Sequence, residues 1–441
     1  MRINLTDNNI GQSNAETFSR KDVAALFPIA DKAIGELCNE NENLLIFPYC
    51  IGDSDDRIED TSIIKILNTD DSEKVKIITG NVMGFIGVGD LKVKIKSRFD
   101  IGRDDYFLHY MLQKVLSFNL FDLSHNSEEE DVFDFIMFMF PYLLKSAMRQ
   151  GVYREYKNYK HNDTNIKGTI DIGRHVAKNV PFVGNMAYST REYSHDNPMT
   201  QLIRHTIEFM KAKRYGQSVL CLDKETIQNV ATIVEHTPSY HKNGRSCVIN
   251  KNLRLKAHPY YTEYSPLQTL CLQILRMEEI KYGESDDEIC GILFDGAWLW
   301  EEYVNTILKK EGFIHPENKH KRGGIYLFED RSGIRYPDFY TDDFVLDAKY
   351  KKLGSYDKVS KVEPNDVHQV YAYMTTLHAS RGGFVSPLYD RQTKVPTSRF
   401  SGNNASLSIF GIEISRIATS YKDFCNKMVD MERAFVSSLN L

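Results

Sequence analysis

None of the seven cysteines stands in a CxxC pair. That excludes a zinc ribbon or an iron–sulfur signature, and scattered thiols in odd number fit a reducing cytoplasm. No apolar run approaches the roughly 20 residues a bilayer span needs. The longest, residues 132–144, contains Asp134 and Pro141. The opening stretch MRINLTDNNIGQ has no apolar core of the kind that directs secretion, so a cytoplasmic protein with no membrane attachment is expected. The phosphate-cradling pattern GxxxxGK followed by Ser or Thr is missing throughout, so the chain has no nucleotide loop of that type. Gly87 and Gly89 lie between two strand patterns with no helix after them, which reads as a hairpin turn and not as a dinucleotide site. Positive charge is not in excess either. With 55 Lys and Arg against 60 Asp and Glu, the net charge is −5, so any nucleic-acid binding is local or delegated to a partner.

What is present is an ordinary globular composition, 42% hydrophobic and 26% charged, over 441 residues, enough for two or three domains. Short β patterns fill residues 45–99 (LLIFPYC, SIIKIL, KVKIITG, NVMGFIGVG, LKVKIKSRF). Helical periodicity follows at about 103–119, 129–149, 198–214, 222–236 and 265–282, with a strand at about 151–160. After the acidic break GESDDE (283–288), strands and helices alternate to the end. The expected architecture is an α+β multidomain chain: a β-rich domain at 1–125, a mostly helical middle domain at 126–285, and an α/β domain at 286–441.

Charge is distributed unevenly along the chain. Residues 119–131 carry five acids and no base and read as a solvated linker, whereas residues 145–178 carry eight bases against three acids. In the second stretch Tyr153, Tyr156 and Tyr159 interleave with Arg154, Lys157 and Lys160. That pattern suits a phosphate backbone, but it suits the solvated face of an ordinary strand better. The run Lys319-His320-Lys321-Arg322 reads as a solvated loop, Asp171 and Arg174 read as structural, and the thirteen histidines show no metal-ligand spacing.

The densest chemistry lies in RYPDFYTDDFVLDAKYKK, residues 335–352. A two-residue turn at Asp342-Asp343 pairs 341 with 344, 340 with 345, 339 with 346 and 338 with 347. Asp338 then faces Asp347, and the period of two puts Lys349 on the same face. Opposed carboxylates at roughly 4.5–5.5 Å between Cβ atoms repel unless a cation lies between them. Mg²⁺, or Mn²⁺ in its place, would supply that cation, being a hard ion that prefers carboxylate and water oxygens. On the preceding helix, Phe294, Ala297, Val304 and Leu308 form an apolar stripe whose missing member is Glu301, a carboxylate in need of a partner, while Glu302 reads as solvated. Asp338, Asp347 and Glu301 are therefore the expected metal ligands. Lys349 is expected to orient the attacking water or to neutralise developing charge. On the following helix, Gln369 and Tyr373 lie at i, i+4 beside a core stripe of Val367, Val370, Tyr371 and Met374.

This constellation resembles the PD-(D/E)xK endonuclease superfamily. Asp338, Asp347 and Lys349 stand at the motif positions, with Glu301 on the helix before and Gln369 and Tyr373 on the helix after. A collinear string narrows the resemblance: IKGTIDIGRH (166–175), REYSHDNPMTQLIRHT (191–206), LWEEYV (299–304), YPDF and LDAKYK. In this order over roughly residues 100–441 it is similar to the McrC family, nuclease subunits of modification-dependent restriction systems. Two features depart from the family: Thr200 stands where Asn is frequent, and the region before residue 100 is only loosely similar. The resemblance implies a metal-dependent endonuclease with a PD-(D/E)xK carboxyl-terminal domain. It also implies docking, through the amino-terminal portion, on a hexameric McrB-like AAA+ GTPase, with stimulation of that partner's GTP hydrolysis. Double-stranded DNA would be the substrate, antiphage restriction the role, and pairing of two McrC subunits a route to cutting both strands. Two other classes compete: a nuclease-fold adaptor that mainly activates a partner NTPase, and a glycosidase, whose retaining carboxylates are similarly spaced. A lysine two residues from one acid suits phosphate better than an oxocarbenium ion.

Overall fold

The computed structural model describes residues 2–9, 17–41, 44–48, 57–89, 91–100, 105–116, 131–213, 216–254, 258–281, 289–316, 323–353, 356–389, 392, 394–402 and 404–440. The acidic linker at 119–130, the break at 283–288 and the basic run Lys319–Arg322 lie outside them. The chain divides into two compact units, Met1–His125 with Ser285–Leu441, and Asn126–Glu284. The amino-terminal β-rich region and the carboxyl-terminal α/β region therefore share one unit, where three separate domains were expected. The strand Ile289–Asp295 accounts for this. It lies between Val82–Val88, to which it is antiparallel, and Leu44–Phe47, to which it is parallel. The expectation missed it because it lies between the acidic run and the helix signal.

The first sheet of this unit runs in the order Arg2–Thr6, Leu91–Lys96, Val82–Val88, Ile289–Asp295, Leu44–Phe47. Alternation decides its faces. Leu91, Val93 and Ile95 are buried while Lys92, Lys94 and Lys96 point outward, as a period of two requires. Val88 pairs with Leu91 across the expected hairpin, where Gly89 takes a left-handed φ of 54°. A smaller sheet pairs Thr17–Ser19 and Ile64–Asn68 with Lys74–Thr79.

The second five-stranded sheet runs Phe339–Tyr340, Phe344–Ala348, Arg381–Leu388, Ser406–Glu413, Thr397–Arg399, its three central strands parallel. Parallel strands are buried on both faces, and here helices cover them. Val345, Phe384, Leu407 and Ile409 pack with Val370, Tyr373 and Met374 of the helix Pro364–Leu377. From the alternate positions, Phe344 meets Phe410, and Tyr350 meets Trp300 of the helix Gly296–Leu308. Trp300 Nε1 also donates to Val385 O at 3.1 Å. Tyr110, Tyr303 and Lys114 converge on Glu432 of the last helix, Tyr421–Ser438.

The second unit contains the expected helices Asp131–Arg149, Pro198–Lys211, Lys224–Glu235 and Tyr264–Lys281. The strand expected at about 151–160 is Glu155–Asp163, and it belongs to a ribbon whose other strands were not foreseen: it is antiparallel to Met186–Ser194, with Thr169–Ile170 on the other side of the latter. Asp171 caps the short helix Ile172–Asn179 by accepting from Arg174 N at 3.1 Å, and Arg174 Nη2 donates to His161 O at 3.1 Å. Both residues are structural. Thr200 completes a capping box with Asn197, which fixes the start of the Pro198–Lys211 helix. Among the described residues no helix is long and apolar enough to cross a membrane.

Candidate active site

The hairpin has the register expected of it. Phe339 pairs with Leu346 and Tyr340 with Val345, and Thr341 N donates to Phe344 O at 2.8 Å to close the turn. One position further out, the Asp338 carboxylate reaches across: its Oδ2 accepts from Ala348 N at 2.7 Å. Asp347 is 1% exposed on the face that packs against the Pro364 helix. Lys349 Nζ lies 2.8 Å from Asp347 Oδ2 and 3.3 Å from Asp366 Oδ1. Asp366 Oδ2 in turn holds Lys351 Nζ at 3.0 Å, and Glu363 Oε2 holds it at 3.2 Å. The charges thus alternate along a chain from the hairpin to the first turn of the Pro364 helix. Sequence reading missed Asp366, though an acid in a first turn headed by Pro, following a parallel strand, was the available signal.

Burial, and then the neighbouring Asp347 charge, push Asp338 up to about 7, against the opposing pull of Lys349, the Ala348 N–H and His315. Burial raises Asp347 as well, with Lys349 the main opposing charge. Burial alone would lower Lys349, but Asp347, Asp338 and Asp366 outweigh it, so the ammonium is held charged above its ordinary range. Two buried carboxylates thus share one lysine. That deficit of positive charge, together with a donor set of hard oxygens, fits a divalent cation such as Mg²⁺, which binds through one or two carboxylates and keeps several waters. Asp347 Oδ2 is buried and pairs with the Lys349 ammonium at 2.8 Å, so an incoming cation would share that oxygen with the lysine.

Glu301 does not join them. Among the described residues no group of three or more His, Cys, Asp or Glu side chains is gathered to hold a metal. The apolar stripe assigned to Glu301 is displaced as well. Phe294 belongs to the strand, Asp295 is the N-cap with its side chain accepting from Ala297 N at 2.9 Å, and Ala297 is exposed. Counting from that cap, the buried face is Gly296, Leu299, Trp300, Tyr303, Val304, Ile307 and Leu308. Glu301 and Glu302 lie at its edge, their side chains 35% and 32% exposed. They are alike in burial, so Glu302 is no more solvated than its neighbour.

Both glutamates face His315, which no sequence signal singled out. His315 Nδ1 lies 2.7 Å from Asp338 O and 3.9 Å from Glu301 Oε1, while Nε2 lies 3.6 Å from Glu302 Oε1. Its ring stacks on Phe339, centroids 5.1 Å apart. Burial pulls its pKa down, but Glu302 and the Asp338 carbonyl more than restore it, leaving it raised. His315 therefore links the helix acids to the peptide of Asp338.

On the far side, Gln369 Nε2 donates to Tyr373 Oη at 3.1 Å. Tyr373 is buried, and burial raises its pKa. The Gln369 bond opposes that rise, and the fields of Asp347 and Asp338 add to it. The core stripe of this helix is Val370, Tyr373 and Met374. Tyr371, expected inside, is exposed and packs on Phe400 at 4.7 Å.

Residues 77–387 match the family model described as McrBC 5-methylcytosine restriction system component. No curated protein matches the sequence. Among solved structures, the chain is similar at 13% identity and a TM-score of 0.47 to one in a refined half-complex from a tetradecameric assembly of Thermococcus gammatolerans McrB AAA+ hexamers with bound McrC, covering 100% of this chain and 99% of that one. A cryo-EM structure of the Thermococcus gammatolerans McrBC complex is similar at 15% identity and a TM-score of 0.32, covering 72% of this chain and 90% of that one.

Proposed function

The chain belongs to the family of McrBC 5-methylcytosine restriction system components, and from that premise we propose that it is the McrC-like subunit. In this reading it is an endonuclease that docks on a McrB-like AAA+ GTPase hexamer, stimulates GTP hydrolysis there, and cuts modified double-stranded DNA by metal-dependent phosphodiester hydrolysis. The observation that carries the reading is the hairpin, where Asp338 and Asp347 are buried side by side with Lys349 on the same face, the arrangement a PD-(D/E)xK site would need.

Bound Mg²⁺ or Mn²⁺ supplies the Lewis acid that polarises the phosphoryl oxygen and activates a water. Asp338 and Asp347 would hold the ion through ionised carboxylates, and Asp338, raised to about 7, is the one that would have to give up a proton to do so. Lys349, kept charged by three carboxylates, stabilises the negative charge that develops on the phosphate oxygens and orients the nucleophile. Asp366 anchors the lysine from behind. Glu302, with Glu301 beside it, acts through His315, which fixes the Asp338 peptide. Gln369, at the helix surface, is presented to the DNA strand with Tyr373 as its anchor. Two such chains, each with one site, would cut both strands.

A second reading, a nuclease-fold adaptor that mainly activates the partner, draws on the finding that among the described residues no group of three or more His, Cys, Asp or Glu side chains is gathered to hold a metal. The two separate on one experiment. The chain, its AAA+ partner, GTP and modified DNA are combined with and without Mg²⁺. The nuclease reading expects cutting only with Mg²⁺ and only with the partner. Efficient digestion of unmodified DNA by this chain alone, without GTP, contradicts the division of labour. GTPase stimulation without any cutting favours the adaptor.

A further inference from the structure

The strand that carries Asp347, with Lys349 directly after it, is held at its end by a side chain from the other sheet of the same unit. Arg98 follows the strand Leu91–Lys96 and is buried with Asp7, their side chains 6% and 0% exposed and Nη1 3.1 Å from Oδ2. Asp7 Oδ1 also accepts the Arg98 backbone N–H. The other guanidinium nitrogen, Nη2, donates to Asn81 Oδ1 at 3.2 Å and to the carbonyl of Tyr350. The guanidinium carbon lies 4.4 Å from the centre of the Tyr350 ring, and the Ser97 and Tyr350 hydroxyls meet at 2.7 Å. Tyr389 Oη closes the set on Arg98 O at 2.7 Å.

Tyr350 directly follows Lys349. The last rung of the ladder is Lys349 N to Val385 O at 2.9 Å, and the chain then turns, Lys351 N donating to Lys349 O at 2.8 Å. The Tyr350 carbonyl lies inside that turn. Its orientation decides how Lys349 and Lys351 leave the sheet, one toward Asp347 and both toward Asp366. A buried charge is costly, and hydrophobic packing could close this junction at less expense, so a forked cation aimed at one carbonyl has geometry as its main product.

We propose that Arg98, clamped by Asp7, is a positioning residue that sets the geometry of Asp347 and Lys349 by fixing the Tyr350 peptide. The proposal rests on the nuclease reading of the hairpin. It makes the site's cation affinity depend on the amino-terminal sheet.

The test is Mn²⁺ binding to the full-length chain, followed by electron paramagnetic resonance of the free ion at a temperature below every variant's melting transition. Asp347→Asn examines the site itself. Arg98→Lys keeps the charge opposite Asp7, and so the fold, but one ammonium cannot fork to Asp7, Asn81 and the carbonyl together. Tyr350→Phe keeps the ring and the carbonyl and removes only the hydroxyl. The proposal expects Asp347→Asn to lose binding, Arg98→Lys to bind about tenfold more weakly, and Tyr350→Phe to bind as wild type. Wild-type affinity in folded Arg98→Lys overturns it, as does a loss in Tyr350→Phe equal to that of Arg98→Lys, which would mark plain packing. If Asp347→Asn binds Mn²⁺ undiminished, the nuclease reading of the hairpin falls first and the proposal with it.

Discussion

Two pairs of acids lie around His315, and the protein treats them differently. Asp338 and Asp347, on the hairpin, are buried and face one another with a single lysine between them and the next acid. Glu301 and Glu302, on the helix, are about one-third exposed and lie beside the imidazole, at 3.9 and 3.6 Å. Solvent relieves the second pair at little cost, so it can be replaced cheaply. The first pair keeps its repulsion in a place that water does not screen, which is the condition that favours cation binding. Acids close together in sequence, or on one helix face, are weak evidence for a site; acids that burial forces to share one counter-charge are stronger evidence.

The largest expected effect comes from breaking the scaffold that both pairs depend on. A chain beginning at residue 126 leaves Ile289–Asp295 without Val82–Val88 on one side and Leu44–Phe47 on the other. It should fail to fold or should aggregate by its open edges, with loss of the cooperative thermal transition as the check. A folded, cleavage-competent product would show that the carboxyl-terminal region stands alone.

Within the intact chain, Lys349→Met should reduce cutting by about 10²–10³-fold, as removal of a charge-stabilising donor does. Lys351→Met, at the outer end of the chain of charges, should change it only slightly. Equal losses in single-turnover assays would mean that the whole network, and not the lysine at the acid pair, does the chemistry.

A subtler difference between the pairs is in pH dependence. Asp338 is raised to about 7, so between about pH 4, where an unfolded aspartate titrates, and pH 7 the folded chain holds a proton that the unfolded chain has released. Stability of the metal-free protein should fall as pH rises across that window and level off above it. Asp338→Asn should remove that part of the slope, and added Mg²⁺ should restore stability near pH 7. Denaturant melts at a series of pH values read this out, and a variant with an unchanged slope would contradict it.

The smallest effects belong to the helix acids. His315 is raised above its ordinary value, with Glu302 its main support, so its contribution to stability is fully present below about pH 6.5 and lost as pH climbs through the elevated folded value. Glu302→Gln should lower the His315 titration midpoint in NMR more than Glu301→Gln does. The reverse order would restore Glu301 as the acid that matters.

How much of this the sequence could reveal follows from what anchors each element. The hairpin was legible because a two-residue turn fixes register absolutely, and from the turn every partner can be counted to Asp338 and Asp347. The glutamate helix was not, because a helical stripe has a phase that only its cap defines. Asp295 caps from 7% exposure, one residue after the Phe294 that was counted into the stripe. The parallel core of the second sheet was legible in its apolar runs, while Thr397–Arg399, exposed and polar, left no signal. Contacts that cross from one sheet to the other, such as Arg98 to Tyr350, have no local pattern at all, because the two residues are 252 positions apart. His315 escaped for the same reason: its partners are a peptide and two carboxylates from other elements.

We propose the buried pair Asp338 and Asp347 as a cation-dependent cutting site. The most direct test is a Mg²⁺ titration of modified-DNA cleavage by the chain with its AAA+ partner and GTP, wild type beside Asp347→Asn. We predict no product in chelator, product that rises and saturates with Mg²⁺ for the wild type, and none at any Mg²⁺ concentration for the variant, although the variant still stimulates GTP hydrolysis. Cleavage by the wild type in chelator, or by Asp347→Asn at wild-type rate, would contradict the account.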